Sequence, residues 1–140
     1  VSQYDEILQY AAQRGALSIL CLESIHGLSY SIKAAVNYLN TLEKPFRMIF
    51  MVADQPYISM NTIDKLMHTK HKLASCAYKD KVGNPTLFDS SYIPELLLLK
   101  EDQGGRKVLN KHPDEVEYIQ VENVKELYDI DYQEDLKQLQ

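Results

Sequence analysis

Apolar positions along this chain follow two rhythms in turn. Tyr4, Ile7, Leu8 and Ala11 recur at the three-to-four spacing of one helix face, and Gly15 stands where that helix would end. The run ALSILCLE at 16–23 is short and nearly continuous in apolar residues, which predicts a strand. Helical spacing returns in SYSIKAAVNYLNTLE, where Ile32, Ala35, Val36, Leu39 and Leu42 share a face and Ser29 or Ser31 would cap the start. FRMIFMVAD at 46–54 reads as a second strand, followed by a helix from about 59 to 72 carrying Ile63, Leu66 and Met67. LASCAYK is a third extended run, DKVGN a turn and PTLF a brief extended piece. A helix opens near Pro94, since the first helical turn tolerates proline. EVEYIQV is a late strand, and the acidic tail from Tyr132 predicts a last helix.

Near-continuous apolar strands alternating with amphipathic helices predict a mostly parallel sheet flanked by helices. The expected fold is therefore three-layer α/β, in a single domain spanning 1–140. Composition leaves that picture intact, with 45% hydrophobic and 25% charged residues, as in an ordinary globular protein. Charge narrows the function: 15 basic against 20 acidic residues give a net −5, without the basic face of a general DNA or RNA binder. No apolar run approaches the roughly 18 residues of a membrane span, and no signal-peptide pattern opens the chain. Cys21 and Cys76 sit in apolar runs and read as buried free thiols of a reducing compartment, so a cytoplasmic location is expected.

One strand ends in a way that asks for chemistry. In MIFMVADQPYIS, at 48–59, the apolar run stops at Asp54 and is followed at once by Gln55 and Pro56. Open α/β sheets bind ligands beyond the carboxyl ends of their strands. A carboxylate there can hold a hard cation such as nucleotide-bound magnesium, and the proline would stiffen the exit. Capping a turn is the plainer role for Asp54. YDIDYQEDLKQL, at 128–139, adds Asp129 and Asp131, two apart in an extended stretch and so on one side of it. Asp54 and Asp131 could share one metal, or Asp131 could cap the helix behind it.

Three further stretches belong where loops would meet the same crevice. HGLSYS, at 26–31, enters a helix through Gly27 and hydroxyl residues, and helix-start N–H groups favour anions and sugar hydroxyls. VGNP, at 82–85, predicts a small turn ahead of a strand. KEDQGGRKVL, at 100–109, joins Gly104 and Gly105 to Arg106 and Lys107, a pattern able to receive phosphate or simply to link two helices. His68 and His71, three apart beside Lys70 and Lys72, read as a solvated face rather than a metal pair. The four leucines at 96–99 exceed one helix face, which core packing or a partner chain would explain.

Taken in order, these pieces resemble the MobA-like nucleotidyltransferases, nearest to the molybdenum cofactor cytidylyltransferases. The resemblance rests on Gly27, Ser29 and Ser31, then Asp54-Gln55-Pro56, Gly83 to Phe88, Asp102 to Arg106, and Asp129 to Leu136, from about residue 16 onward. It implies a nucleotide-diphospho-sugar-transferase-like fold and Mg²⁺-dependent transfer of a nucleotidyl group from a nucleoside triphosphate. The donor would be CTP and the acceptor the terminal phosphate of molybdopterin, with a molybdenum hydroxylase as the eventual recipient of the cofactor. By matching position, Asp54 and Asp131 would hold the magnesium, and Gly27 and Ser29 would approach the nucleotide. Asn84, Asp102, Gly104 and Arg106 would lie towards the acceptor.

The departures shape the expectation too. The family's glycine-rich triphosphate loop, with its arginine and lysine, is not found in this sequence, which begins at Val1 on a helix pattern. The chain therefore reads as the C-terminal two-thirds of such a domain, N-terminally truncated and inactive alone, with a sheet edge that a homodimer could cover. Tyr132 and Gln133 stand where the family has Thr-Pro. The alternative reading is a non-catalytic α/β binding or accessory module.

Overall fold

Leu66, Ala74, Cys76, Leu87, Ile119, Val121 and Leu127 meet in one buried cluster, and the elements that deliver them are a mixed sheet and a helix laid on it. The computed structural model describes residues 1–132, 134, 135 and 137 of the chain. In chain order the helices and strands are α1 (Asp5–Gln13), α2 (Leu28–Leu39), β1 (Arg47–Phe50), α3 (Met60–His68), β2 (Leu73–Tyr78), β3 (Lys81–Asp89), α4 (Ile93–Leu97), α5 (Arg106–Leu109) and β4 (Val116–Gln120). They fall into two compact units, Val1–Phe46 with Asp89–Lys111, and Arg47–Phe88 with His112–Gln140.

In the first unit α2 packs on α4, and Ile32 and Val36 of the one and Ile93 and Leu96 of the other are all buried. The leucine run straddles the end of α4: Leu96 and Leu99, three apart and so on one face, are buried while Leu98 is 70% exposed. α1 forms where the periodicity puts it, yet none of its residues is buried. The strand expected at 16–23 does not form. Its backbone makes a single parallel bridge, Ser2 to Leu20, before a 3-10 turn at Leu22–His26. A ladder needs a partner along its whole length, and among the described residues only Ser2 pairs there. Nor do Ser29 or Ser31 cap α2; both fall inside the helix, and Gly27 occupies the cap position.

In the second unit the strand order is β1-β3-β2-β4. β2 runs parallel to β4, from Leu73 opposite Val116 to Ala77 opposite Gln120, and antiparallel to β3, so the α/β sheet is mixed. The β2–β3 turn is Lys79–Asp80, with Lys79 at φ 54°, and not the longer DKVGN loop of the sequence reading. Gly83 and Asn84 lie within β3. Ladder partners jump from Ser75–Thr86 to Cys76–Gly83, which leaves Asn84 and Pro85 as a bulge. Pro85 has no N–H to donate, so a bulge is where a strand can accept it. The Asn84–Pro85 peptide is cis.

α3 starts as its sequence predicts: the Ser59 hydroxyl accepts the Thr62 N–H at 3.1 Å. It stops at His68, four residues early, because Thr69 turns extended and its hydroxyl bonds the Glu117 carboxylate on β4. The Arg47 guanidinium donates to the Met67 and Thr69 carbonyls, the cation a helix C-terminus favours. β1 ends at Phe50, so Asp54 stands in the turn after the strand rather than on its last residue. The helix expected from Tyr132 runs through 133, 136 and 138–140, which lie outside the described residues.

Candidate functional site

In the second unit the Asp54-Gln55-Pro56 turn is bonded directly to the Asp129–Asp131 segment. The Asp54 carbonyl accepts the Ile130 N–H at 2.8 Å. Beside it, the Gln55 amide donates to Asp129 Oδ1 at 2.7 Å. Gln55 is buried and its Oε1 has no hydrogen-bond partner, an orphaned acceptor beside this contact. Asp54 and Asp131 are both exposed. Asp131 stands with Tyr57, Lys81, Tyr128 and Asp129 around a cavity of about 280 Å³. Asp135 closes one side of it, its Oδ2 accepting the N–H groups of Asp131 (3.2 Å) and Tyr132 (2.9 Å). Lys81 brings a cation among these acids, its ammonium donating to the Leu127 carbonyl at 3.1 Å and lying 5.4 Å from the Tyr128 ring centroid.

Behind this surface lies a buried carboxylate, Glu126, only 4% exposed. Its Oε2 accepts the Thr62 hydroxyl at 2.6 Å and the Ser59 N–H at 3.0 Å, at the first turn of α3. Burial pushes its pKa up, but bonds from Thr62, from the Ser59 backbone and side chain and from the Asn123 N–H outweigh that, and the net value falls below 4.5. Cys76 on β2 moves the other way: burial, and then the nearby Glu126 charge, push its thiol up to about 12. It is an inert core thiol, as its apolar surroundings suggested.

In the first unit, two of the predicted loops are held against each other by main chain. The Ser29 N–H donates to the Glu101 carbonyl at 3.0 Å. Gly27, at φ 132°, sits so close that a Cβ there would lie 2.3 Å from the Glu101 carbonyl carbon. Only glycine fits that approach. Gly104 meets the same segment through Leu28, whose Cδ2 would be 2.9 Å from an added Cβ. Ser29 is wholly buried, and its hydroxyl has no partner. Asp102 and Arg106 are exposed, and α5, which Arg106 opens, is a single turn with little dipole to offer an anion.

The structure thus brings Asp54 beside the 129–131 segment, and brings Gly27 and Ser29 beside the 101–104 loop. Asn84 lies on β3 in the second unit. Gln55, Glu126, Lys81 and Asp135 carry these arrangements without having been singled out. Gln55 and Asp135 had a sequence signal, their places inside Asp-Gln-Pro and the 129–136 stretch. Among the described residues no three His, Cys, Asp or Glu side chains stand together as a metal cage. His68 stays on the surface beside Asp64. A hard cation brought in by a nucleotide needs only one or two protein carboxylates, the remainder of its shell being phosphate and water. The oxygen donors of the Asp54 turn and the 129–131 segment fit that need in kind. No helix among the described residues is long and apolar enough to cross a membrane.

The chain belongs to the family of the MobA-like NTP transferase domain, whose model matches residues 1–116. Its backbone also resembles solved structures. Crystal structures of Rv0371c from Mycobacterium tuberculosis H37Rv superpose with a TM-score of 0.66 at 23% identity, over 79% of this chain and 58% of that one. A homologue from Mycobacterium sp. strain JC1 gives 0.64 at 23%, over 81% and 56%. Rv0371c in complex with manganese gives 0.63 at 24%, over 78% and 59%. This chain therefore spans under three-fifths of the length of each. No curated protein sequence matches it.

Proposed function

We propose that this chain carries the metal-side and acceptor-side surfaces of a Mg²⁺-dependent nucleotidyltransferase, which moves CMP from CTP onto the terminal phosphate of a molybdopterin-type acceptor. The observation that carries the reading is the direct bonding of the Asp-Gln-Pro turn to the Asp-Ile-Asp segment. It places two exposed carboxylate-bearing stretches side by side, the Asp54 turn inside residues 1–116 that match the NTP transferase domain and the 129–131 segment beyond that match. The manganese held by Rv0371c is in keeping with a hard divalent ion.

In this reading Asp54 and Asp131 hold the cation, while Gly27 and Ser29 belong to the nucleotide side. Acceptor roles go to Asp102, Gly104 and Arg106 in the first unit, where the Arg106 guanidinium is able to grip a phosphate through two N–H groups. The attacking acceptor oxygen is already an anion, so no strong base is required. Its bond to the α-phosphorus forms as the bond to the β-phosphate bridging oxygen breaks, and pyrophosphate departs with the electron pair. When bound, the cation supplies neutralisation of the charge gathering on that leaving group. The chain's own residues supply alignment of two polyanions.

Equilibrium binding reads the site without turnover. Mn²⁺ titrated by electron paramagnetic resonance, with CTP or GTP present, should bind tighter with CTP and lose about tenfold or more in affinity in Asp54→Asn and in Asp131→Asn. Unchanged Mn²⁺ affinity in both variants overturns the metal assignment. Equal enhancement by CTP and GTP overturns the cytidine assignment.

A further inference from the structure

Two segments of the second unit run past each other, 54–62 and 126–131, joined at both ends. At one end Asp54 and Gln55 hold Ile130 and Asp129. At the other, Ser59 and Thr62 hold Glu126. The order of partners is antiparallel, so both grips act on one short stretch, 126–130, which leads directly into Asp131. Leu127, next to Glu126, is anchored in the core beside Leu66, Cys76 and Gly83, and only three positions separate Glu126 from Asp129.

We propose that Glu126 is a positioning residue for the acidic site: gripped at the start of α3, its side chain sets where Asp129 and Asp131 stand relative to Asp54. The proposal rests on the metal reading above. Three features single Glu126 out. It is a carboxylate taken almost wholly out of water, which needs charge-assisted bonds to be tolerated. Those bonds come from the helix start that directly follows the Asp-Gln-Pro turn, where N–H groups and the helix dipole favour an anion. Thr62, its closest donor, is itself fully buried, so water cannot replace either partner. The metal-site carboxylates therefore have a support on each flank, Gln55 on one side and Glu126 on the other.

The test compares Glu126→Ala with Glu126→Gln in the intact chain, reading Mn²⁺ affinity and the hydrogen exchange of the Ile130 amide. Glu126→Ala should weaken Mn²⁺ about tenfold and speed Ile130 exchange. Glu126→Gln keeps an oxygen acceptor in place and should recover most of both. If Glu126→Ala fails to fold, Thr62→Val, which removes the 2.6 Å donor and keeps the shape, takes its place and should weaken Mn²⁺ about threefold or more. Affinity unchanged in a folded Glu126→Ala, or in Thr62→Val where that stands in, overturns the proposal while the Asp54→Asn and Asp131→Asn losses keep the metal reading. If neither aspartate variant loses Mn²⁺, the metal reading itself has failed, and with it the role given to Glu126.

Discussion

The two units hold their candidate residues by different physical means. In the first, the Gly27–Ser29 loop and the 101–104 loop meet through backbone: one N–H to carbonyl bond and a glycine with no room for a Cβ. In the second, the bonds from Gln55 to Asp129 and from Ser59 and Thr62 to Glu126 all involve a side chain, beside the single main-chain bond from Ile130 to Asp54. Backbone contacts of the first kind are indifferent to pH and intolerant of volume. Side-chain contacts of the second kind tolerate shape changes better but answer to charge and protonation.

The sharpest way to break this contrast is Gly27→Ala. The added methyl meets main chain that cannot swing aside, at a φ that alanine resists, and a loss of about 3 kcal/mol or more is expected. Urea unfolding measures it; a loss below about 1 kcal/mol would remove the backbone argument. Gly83→Ala is the control from the other unit. Its Cβ would be nearest to the Leu127 side chain, with Cδ2 at 3.4 Å, and a small effect is expected.

Next comes the charge side of the comparison. The folded pKa of Glu126 lies below its ordinary 4.5, so the carboxylate contributes stability that is present above that value. That stability is lost as pH falls through the lower, folded value. Urea midpoints taken from pH 7 down to pH 3 should therefore fall more in the wild type than in Glu126→Gln. At pH 7 the variant should be less stable by about 1–2 kcal/mol, the usual worth of hydrogen bonds to a charged group. A wild-type curve parallel to that of Glu126→Gln would count against a charged Glu126.

A smaller effect is expected at Gln55. Gln55→Leu loses the bond to Asp129 but also removes the buried acceptor that has no partner. The two changes offset, and stability should move by less than about 1 kcal/mol, with Mn²⁺ affinity falling further than stability does. Calorimetric unfolding beside the Mn²⁺ titration separates the two. Least of all should happen at Cys76. With its thiol pushed up to about 12, only about one part in ten thousand is thiolate at pH 8. A colourimetric disulfide reagent should leave it unmodified in the folded protein, and modification would place it outside the core.

Much of the fold was legible, and the misreadings have a common cause. α1, α2, α3, β2 and β4 stand near where apolar spacing puts them, and Ser59 caps α3 as its residue type suggests. The run at 16–23 was as apolar as any strand, yet strand formation needs a neighbour, which no local pattern reports. Asp54 could be picked out as a carboxylate after an apolar run. That the strand ends at Phe50, and the acid stands in the turn beyond, depends on where pairing stops. Asn84-Pro85 looked like a loop because glycine, asparagine and proline usually mark one; here they form a bulge inside β3.

By itself, then, the sequence determined the α/β class, the order of most elements, and the short motifs that carry family resemblance. These follow from periodicity and residue type, properties of neighbours along the chain. The tertiary structure alone decided that Gly27 lies against Glu101, that Gln55 holds Asp129, and that Glu126 lies buried at the start of α3. Each of those contacts joins residues more than sixty positions apart, and such pairings are set by packing and by the need of buried polar groups for partners.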